Sequence, residues 1–264
     1  MKRLTYLLPV AVLALAAQLW TQPRIGAAGR AFKADDVASD SSQAPLVTLD
    51  RMGAYLRSLK AFQVEASTTR DEVLDDGQLI QFDSHINLLA RLPDRLRVEV
   101  NNPRRHQLFF YDGKTFTMWA MRVNYYATVS APPTIGKLAD KLEEQFGISV
   151  PLEDLFLWGT PQSSIGEIKA AAYVGPSEIQ GVTCDHLAFR QEGLDWQVWV
   201  QQGDYPLPRK LVLTTLTDDA RPQYSSVLNW NLAPSFNEAA FQFDPPEGAH
   251  KIIFAKAAES GGEK

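Results

Sequence analysis

Cys184, the one cysteine of the chain, is followed by Asp185 and His186, the local cluster with the richest chemical potential. On a β-strand Cys184 and His186 project from one face while Asp185 points away, so a thiolate and an imidazole could meet one metal ion. A closed zinc site needs about four ligands, and an i, i+2 pair supplies two. His85 and His106 lie far away in sequence, and only a coincidence of folding would recruit them. The same pair could act as nucleophile and base, but strand neighbours two apart are poorly directed at each other. The expectation is therefore a buried small thiol beside a hydrogen-bonded strand histidine. Paired acids at Asp75-Asp76, Glu143-Glu144, Glu153-Asp154 and Asp218-Asp219 fall on expected turns and exposed helix faces. Acid–base catalysis needs two environments that split the pKa values of such groups, and the sequence suggests solvated charge instead. Neither GxxxxGK[ST], GxGxxG nor GxSxG occurs between a strand and a helix. The sequence thus predicts a non-enzymatic protein with no metal and no cofactor.

What remains is aromatic. The stretch Gln107–Val129, QLFFYDGKTFTMWAMRVNYYATV, reads as two strands joined at Asp112-Gly113 and a third at Tyr125-Tyr126. Asp-Gly between apolar runs signals a two-residue type I′ hairpin, because both central residues need φ > 0. That loop would pair Tyr111 with Lys114, Phe110 with Thr115 and Phe109 with Phe116. Alternation then puts Phe109, Tyr111, Phe116 and Met118 on one face, and Leu108, Phe110 and Trp119 on the other with Thr115 and Thr117. A sheet needs one apolar face for its core; the second must meet another element, a partner or a ligand. Asp195–Val200 repeats the pattern, with Trp196, Val198 and Val200 on one face and Trp199 on the other. Phe109, Phe110, Phe116, Met118, Trp119, Trp196 and Trp199 are accordingly the candidate lining of an apolar cavity under a curved sheet. The rival reading is ordinary packing, with helices over one face and loops over the other.

These residues must be positioned by an α+β chain. Leu49, Met52, Leu56 and Leu59 recur at helical spacing, predicting a helix of about four turns. Phe62, Val64 and Ala66 alternate with polar residues; Asp76-Gly77 turns the chain back through Leu79 to Leu92, and Leu96, Val98 and Val100 alternate again. Thr134 can cap a second helix striped by Ile135, Leu138, Ala139, Leu142 and Phe146, with Gly147 suited to its end. A short helical turn over Pro151–Trp158 follows. Strands are then expected over Ile168–Val174, Val182–Gln191, Trp196–Gln201, Arg209–Thr217 and Gln223–Leu232, with a last one at Lys251–Phe254. The total is about eleven antiparallel strands with two main helices.

A chain of 264 residues with 45% hydrophobic and 22% charged residues is an ordinary globular composition. Met1-Lys2-Arg3 and the run LTYLLPVAVLALAA have the charge and length of an export signal, placed at residues 1–20; an uncleaved inner-membrane anchor is the rival reading. Residues 21–44, rich in small and polar types, read as a flexible leader, 45–256 as one domain, and 257–264 as a frayed tail. Loss of Lys2 and Arg3 with the signal takes the net charge from −5 to −7. That balance disfavours nucleic acid. With one cysteine there is no intrachain disulfide, and no N-terminal cysteine is available for acylation.

The set YDGKTF, NYYA, GVTCDHLAFRQ, DWQVWV, YPLPRKLV and FDPPEGA, in this order from about Leu49 to Phe254, resembles a family of predicted bacterial periplasmic proteins of unknown function. That family is similar in fold to the lipoprotein carriers LolA and LolB and to the sensor domain of RseB. The resemblance implies an antiparallel half-barrel wrapped over helices with an apolar cavity between them. It also implies a hydrophobic small molecule, lipid or lipoprotein as ligand, or an envelope protein as partner. Its cavity arginine matches no particular residue here. Where relatives carry Asp-Pro after the aromatic hairpin, this chain has Ala120-Met121-Arg122-Val123.

Overall fold

The computed structural model describes the backbone of residues 34–255 and the side chains of residues 43–255. The expected export signal, the leader up to residue 33 and the expected tail lie outside the described residues. Among the described residues, 35–255 form one compact unit.

The first helix, α1 (Ala34–Ser58), carries Leu49, Met52 and Leu56 fully buried on one face. It starts within the segment expected to be a flexible leader, and for residues 34–44 that expectation is corrected. Between Ala34 and Ala44 there is no proline or glycine, so once the Leu49–Leu56 face is docked each further residue adds a hydrogen bond at little cost. Pro45 is accommodated inside the helix although it donates no backbone hydrogen bond.

Six strands follow: β1 (Ala61–Val73), β2 (Leu79–Arg91), β3 (Arg95–Asn101), β4 (His106–Tyr111), β5 (Thr115–Ala120) and β6 (Tyr125–Ser130). Two helices interrupt them, α2 (Ile135–Phe146) and α3 (Asp154–Leu157). The remaining strands are β7 (Ala170–Ile179), β8 (Val182–Gln191), β9 (Leu194–Gln201), β10 (Pro208–Thr215), β11 (Gln223–Asn231) and β12 (His250–Ile252). All twelve form one open sheet in the order β12-β6-β5-β4-β3-β2-β1-β11-β10-β9-β8-β7. Each half is a meander, and β1 joins them by pairing with β11. Ten of the eleven strand pairings are antiparallel; the three-residue β12 pairs parallel with β6.

The ends of α2 follow the sequence. The Thr134 hydroxyl accepts from the Lys137 N–H at 3.3 Å, and Gly147 closes the helix at φ 62°. The aromatic hairpin does not. Tyr111 pairs with Phe116 and Phe109 with Met118, two residues away from the predicted register. The loop is Gly113-Lys114, with φ > 0 at Gly113 only, as a glycine-first type II′ turn requires. The cause is the Asp112 carboxylate, which accepts from the Lys114 and Thr115 N–H groups at 2.9 and 2.7 Å. Because a shift of two preserves side-chain alternation, the predicted faces survive.

Candidate ligand-binding cavity

One face of the sheet is covered by the helices. Phe62, Val64 and Ala66 of β1, Leu88 and Ala90 of β2, Leu96 and Val98 of β3, and Phe109, Tyr111 and Phe116 beyond them share a core with Leu49, Met52 and Leu56 of α1 and the α2 stripe. Gly53 of α1 meets Gly159, just after α3, backbone to backbone: a Cβ on Gly53 would stand 2.8 Å from the Gly159 nitrogen. The Arg57 guanidinium donates to the Leu155 carbonyl at 2.7 Å. These contacts fix α1 against α3 and the turn that follows it.

The space stays open one step further along the same face. A cavity of about 480 Å³ separates the sheet from Ser149–Asp154, the segment that joins α2 to α3. Ile86, Val100, Phe109, Leu211 and Leu213 give it an apolar floor. Arg70, Arg105, Glu153, Asp154 and Tyr224 bring polar groups to it. The connecting segment is held in an unusual conformation, for Leu152 has φ 61°, in the left-handed region that side chains beyond Gly and Asn seldom adopt. Such positions persist where the surrounding structure imposes them, and they concentrate at binding sites.

Glu153 and Asp154 were expected to be solvated, and here the structure overturns the sequence reading. Burial, reinforced by the neighbouring Asp154, pushes the Glu153 carboxyl up to about 7, against the opposing hydrogen bond from the Val150 N–H at 3.3 Å. Burial raises Asp154 as well. The Tyr224 hydroxyl is pushed up to about 12, first by burial and then by the Asp154 carboxylate. The signal in the sequence was the flanking Pro151-Leu152 and Leu155-Phe156-Leu157-Trp158, apolar on both sides of the acid pair.

Of the seven residues singled out from sequence, Phe109 lines this cavity. Phe116 is fully buried in the core, and Met118 packs against that core. Trp196 lies in the core stacked on Phe189 at 4.2 Å. The remaining three point away from the helices, because strand alternation sends them to the opposite face. Phe110 and Trp119 meet Phe243 at 5.4 and 5.7 Å, where the chain after β11 crosses the outside of the sheet. That chain is pinned by Glu238, which is paired with Arg91 and Arg95, and passes the β6 edge so that Phe254 reaches Phe116 and Phe146. Trp199 is stacked on His186 at 4.0 Å, and the Lys210 ammonium lies over the Trp199 ring at 4.8 Å. The second apolar face is thus largely used for packing, and the space left beneath the chain after β11 is a second cavity of about 420 Å³, lined by Phe110, Thr115, Thr117, Tyr126, Thr128 and Phe243.

Cys184 is fully buried, and burial raises its thiol pKa. His186 is 2.9 Å from the Gln197 side-chain oxygen. Among the described residues no three His, Cys, Asp or Glu side chains come together as a metal site, and no helix is long and apolar enough to cross a membrane.

Comparison with solved structures finds LprF from Mycobacterium bovis at 12% identity and a TM-score of 0.44, covering 79% of this chain and 99% of that one. The Mycobacterium tuberculosis lipoprotein LppX is similar at 9% identity and 0.46, over 74% and 99%. A LolA superfamily protein from Nitrosomonas europaea is similar at 12% identity and 0.36, over 77% and 98%. Comparison with curated proteins returned no match. Residues 47–255, which hold the whole sheet and the cavity, match the model of one family, and the chain belongs to it: the predicted periplasmic proteins described as DUF2092.

Proposed function

We propose that this chain is an exported, non-enzymatic binding protein that holds a hydrophobic or amphiphilic ligand between the sheet and the α2–α3 connection. The observation that carries the reading is the cavity itself: about 480 Å³, floored by five large apolar side chains on the helix-covered face of the sheet. A space of this size falls in the roughly 300–1,000 Å³ range of small-molecule sites, and apolar walls with a few polar groups are their usual lining. The basic start and apolar run of residues 1–20 support export. The test is titration of the purified mature protein with an environment-sensitive apolar dye, comparing wild type with Leu211→Trp, which fills the floor. Wild type binds, and the variant, still folded by circular dichroism, loses affinity by about tenfold or more. Absence of dye binding, or equal binding by both, contradicts the reading.

A second reading, docking of an envelope protein, has its own observation: Val123, Tyr125, Ile252 and Ile253 are exposed along the β6–β12 edge. A partner captured by crosslinkers placed at these positions, and retained in Leu211→Trp, would favour it.

A further inference from the structure

The charged groups around the cavity identify the ligand more closely, on the reading that the cavity is the ligand site. Arg70, Arg105, Glu153 and Asp154 all line it, and among the described residues none is in an ion pair within 4.0 Å, although pairs form elsewhere on the surface. The fifth charged lining residue is different: Asp71 accepts from the Gln81 side chain at 3.1 Å and from the Gln223 N–H at 2.9 Å. Arg104, the neighbour of Arg105, is committed to Glu72 and to the Phe82 ring. Two cations and two carboxyls are thus left facing one space without cancelling each other.

Their placement has an order. Arg70 and Arg105 are exposed, one on β1 opposite Tyr224 and the other in the β3–β4 turn, so they stand at the mouth. Glu153 and Asp154 are half-buried on the connecting segment. The other carboxyls near Glu153, Glu143 and Asp140 on α2, are hydrogen-bonded to Ser149 and Gln162. A carboxylate removed from water without a cation is costly, and a ligand cation placed beside it recovers that cost. An anionic amphiphile would gain from the arginines but meet the carboxyls; a cationic one would do the reverse. One head group carrying both signs satisfies both sets. The volume limits the tail: about 480 Å³ lies in the lower half of the roughly 300–1,000 Å³ range of small-molecule sites, which suits one chain rather than two.

We propose that the ligand is a single-chain zwitterionic amphiphile, its tail on the Ile86–Val100–Phe109–Leu211 floor, its ammonium on Glu153 and Asp154, and its anionic group on Arg70 and Arg105. The raised carboxyl pKa values agree with this, since a bound ammonium would draw both back down.

The test is calorimetric titration of the mature protein with three probes sharing one acyl chain: lysophosphatidylethanolamine, lysophosphatidylglycerol and monoacylglycerol. The zwitterion binds about tenfold more tightly than the other two, a difference of about 1.4 kcal/mol. In Glu153→Gln/Asp154→Asn that preference over lysophosphatidylglycerol falls to within about twofold. Arg70→Ala/Arg105→Ala, which alters only exposed side chains, weakens both phosphate-bearing probes together. Equal affinity for all three probes, or a preference that survives the carboxyl changes, overturns the head-group assignment and leaves the cavity reading standing. Binding of none of the three overturns the cavity reading itself.

Discussion

Replacement of Glu153 by Gln should change how the stability of this protein depends on pH. In the folded chain the Glu153 carboxyl sits at about 7 against an ordinary 4.5, so the fold favours its protonated form. Below 4.5 the residue is protonated in both states and costs nothing. Between 4.5 and about 7 the unfolded chain ionises while the folded one resists, so stability falls as pH rises, and above about 7 the whole cost is present. At about 1.36 kcal/mol per pK unit the gap sets a ceiling near 3 kcal/mol. Contact with water in the cavity reduces it to about 1–2 kcal/mol. Glutamine removes the titration, and Asp154, raised for the same reason, stays in both proteins. A domain of this size shifts its melting temperature by roughly 2–4 °C per kcal/mol. Thermal melts by circular dichroism at fixed ionic strength should therefore show the variant gaining on wild type by about 2–8 °C between about pH 4.5 and pH 8. Two curves that stay parallel across that window would refute the burial of this carboxyl.

Three further substitutions probe the frame around the cavity. Gly53→Ala places a methyl group 2.8 Å from the Gly159 backbone nitrogen, which cannot swing aside; a loss of about 1–3 kcal/mol in urea unfolding is expected, and an unchanged midpoint would mean that α1 and the Trp158–Gly159 turn do not touch. Phe243→Ala empties the space among Phe110, Trp119 and Tyr126, with a cost of ~2 kcal/mol, below that of a fully buried ring. Hydrogen exchange should then speed up in β12, and unaltered protection of His250–Ile252 would separate the strap from the strand it leads into. Ser226 is fully buried on the sheet's inner face, its hydroxyl beside that of Tyr224 without closing a good hydrogen bond, so Ser226→Ala is expected to be neutral or stabilising by up to ~1 kcal/mol. A clear loss of stability would show that the hydroxyl is bonded.

Much of this frame can be read from the chain. The alternation of Leu96, Val98 and Val100 marks a strand with one buried face, and Thr134 with Gly147 marks both ends of α2, because caps and alternation are local physics. The family was legible too, through motifs spread over the whole domain. The hairpin register was not, since it depends on where the Asp112 carboxylate finds its N–H donors, and Asp-Gly alone permits more than one loop. Nor was the cavity. Aromatic content pointed to Phe110, Trp119 and Trp199, but Phe243, well over a hundred residues after Phe110, covers two of them, and only the folded chain brings it there. Glu153 looked like a solvated acid because burial, the main cause of its raised pKa, follows from a fold that sets its segment over strands far away in sequence.

The central claim, that the cavity above β1–β4 and β9–β11 carries a ligand, is tested most directly by native mass spectrometry of the protein isolated without detergent from the cells that make it. The account expects wild type to carry the added mass of one single-chain amphiphile, released on denaturation, and Leu211→Trp to travel at the mass of the bare chain. A bare mass for wild type, or the same added mass on the cavity-filled variant, would contradict it.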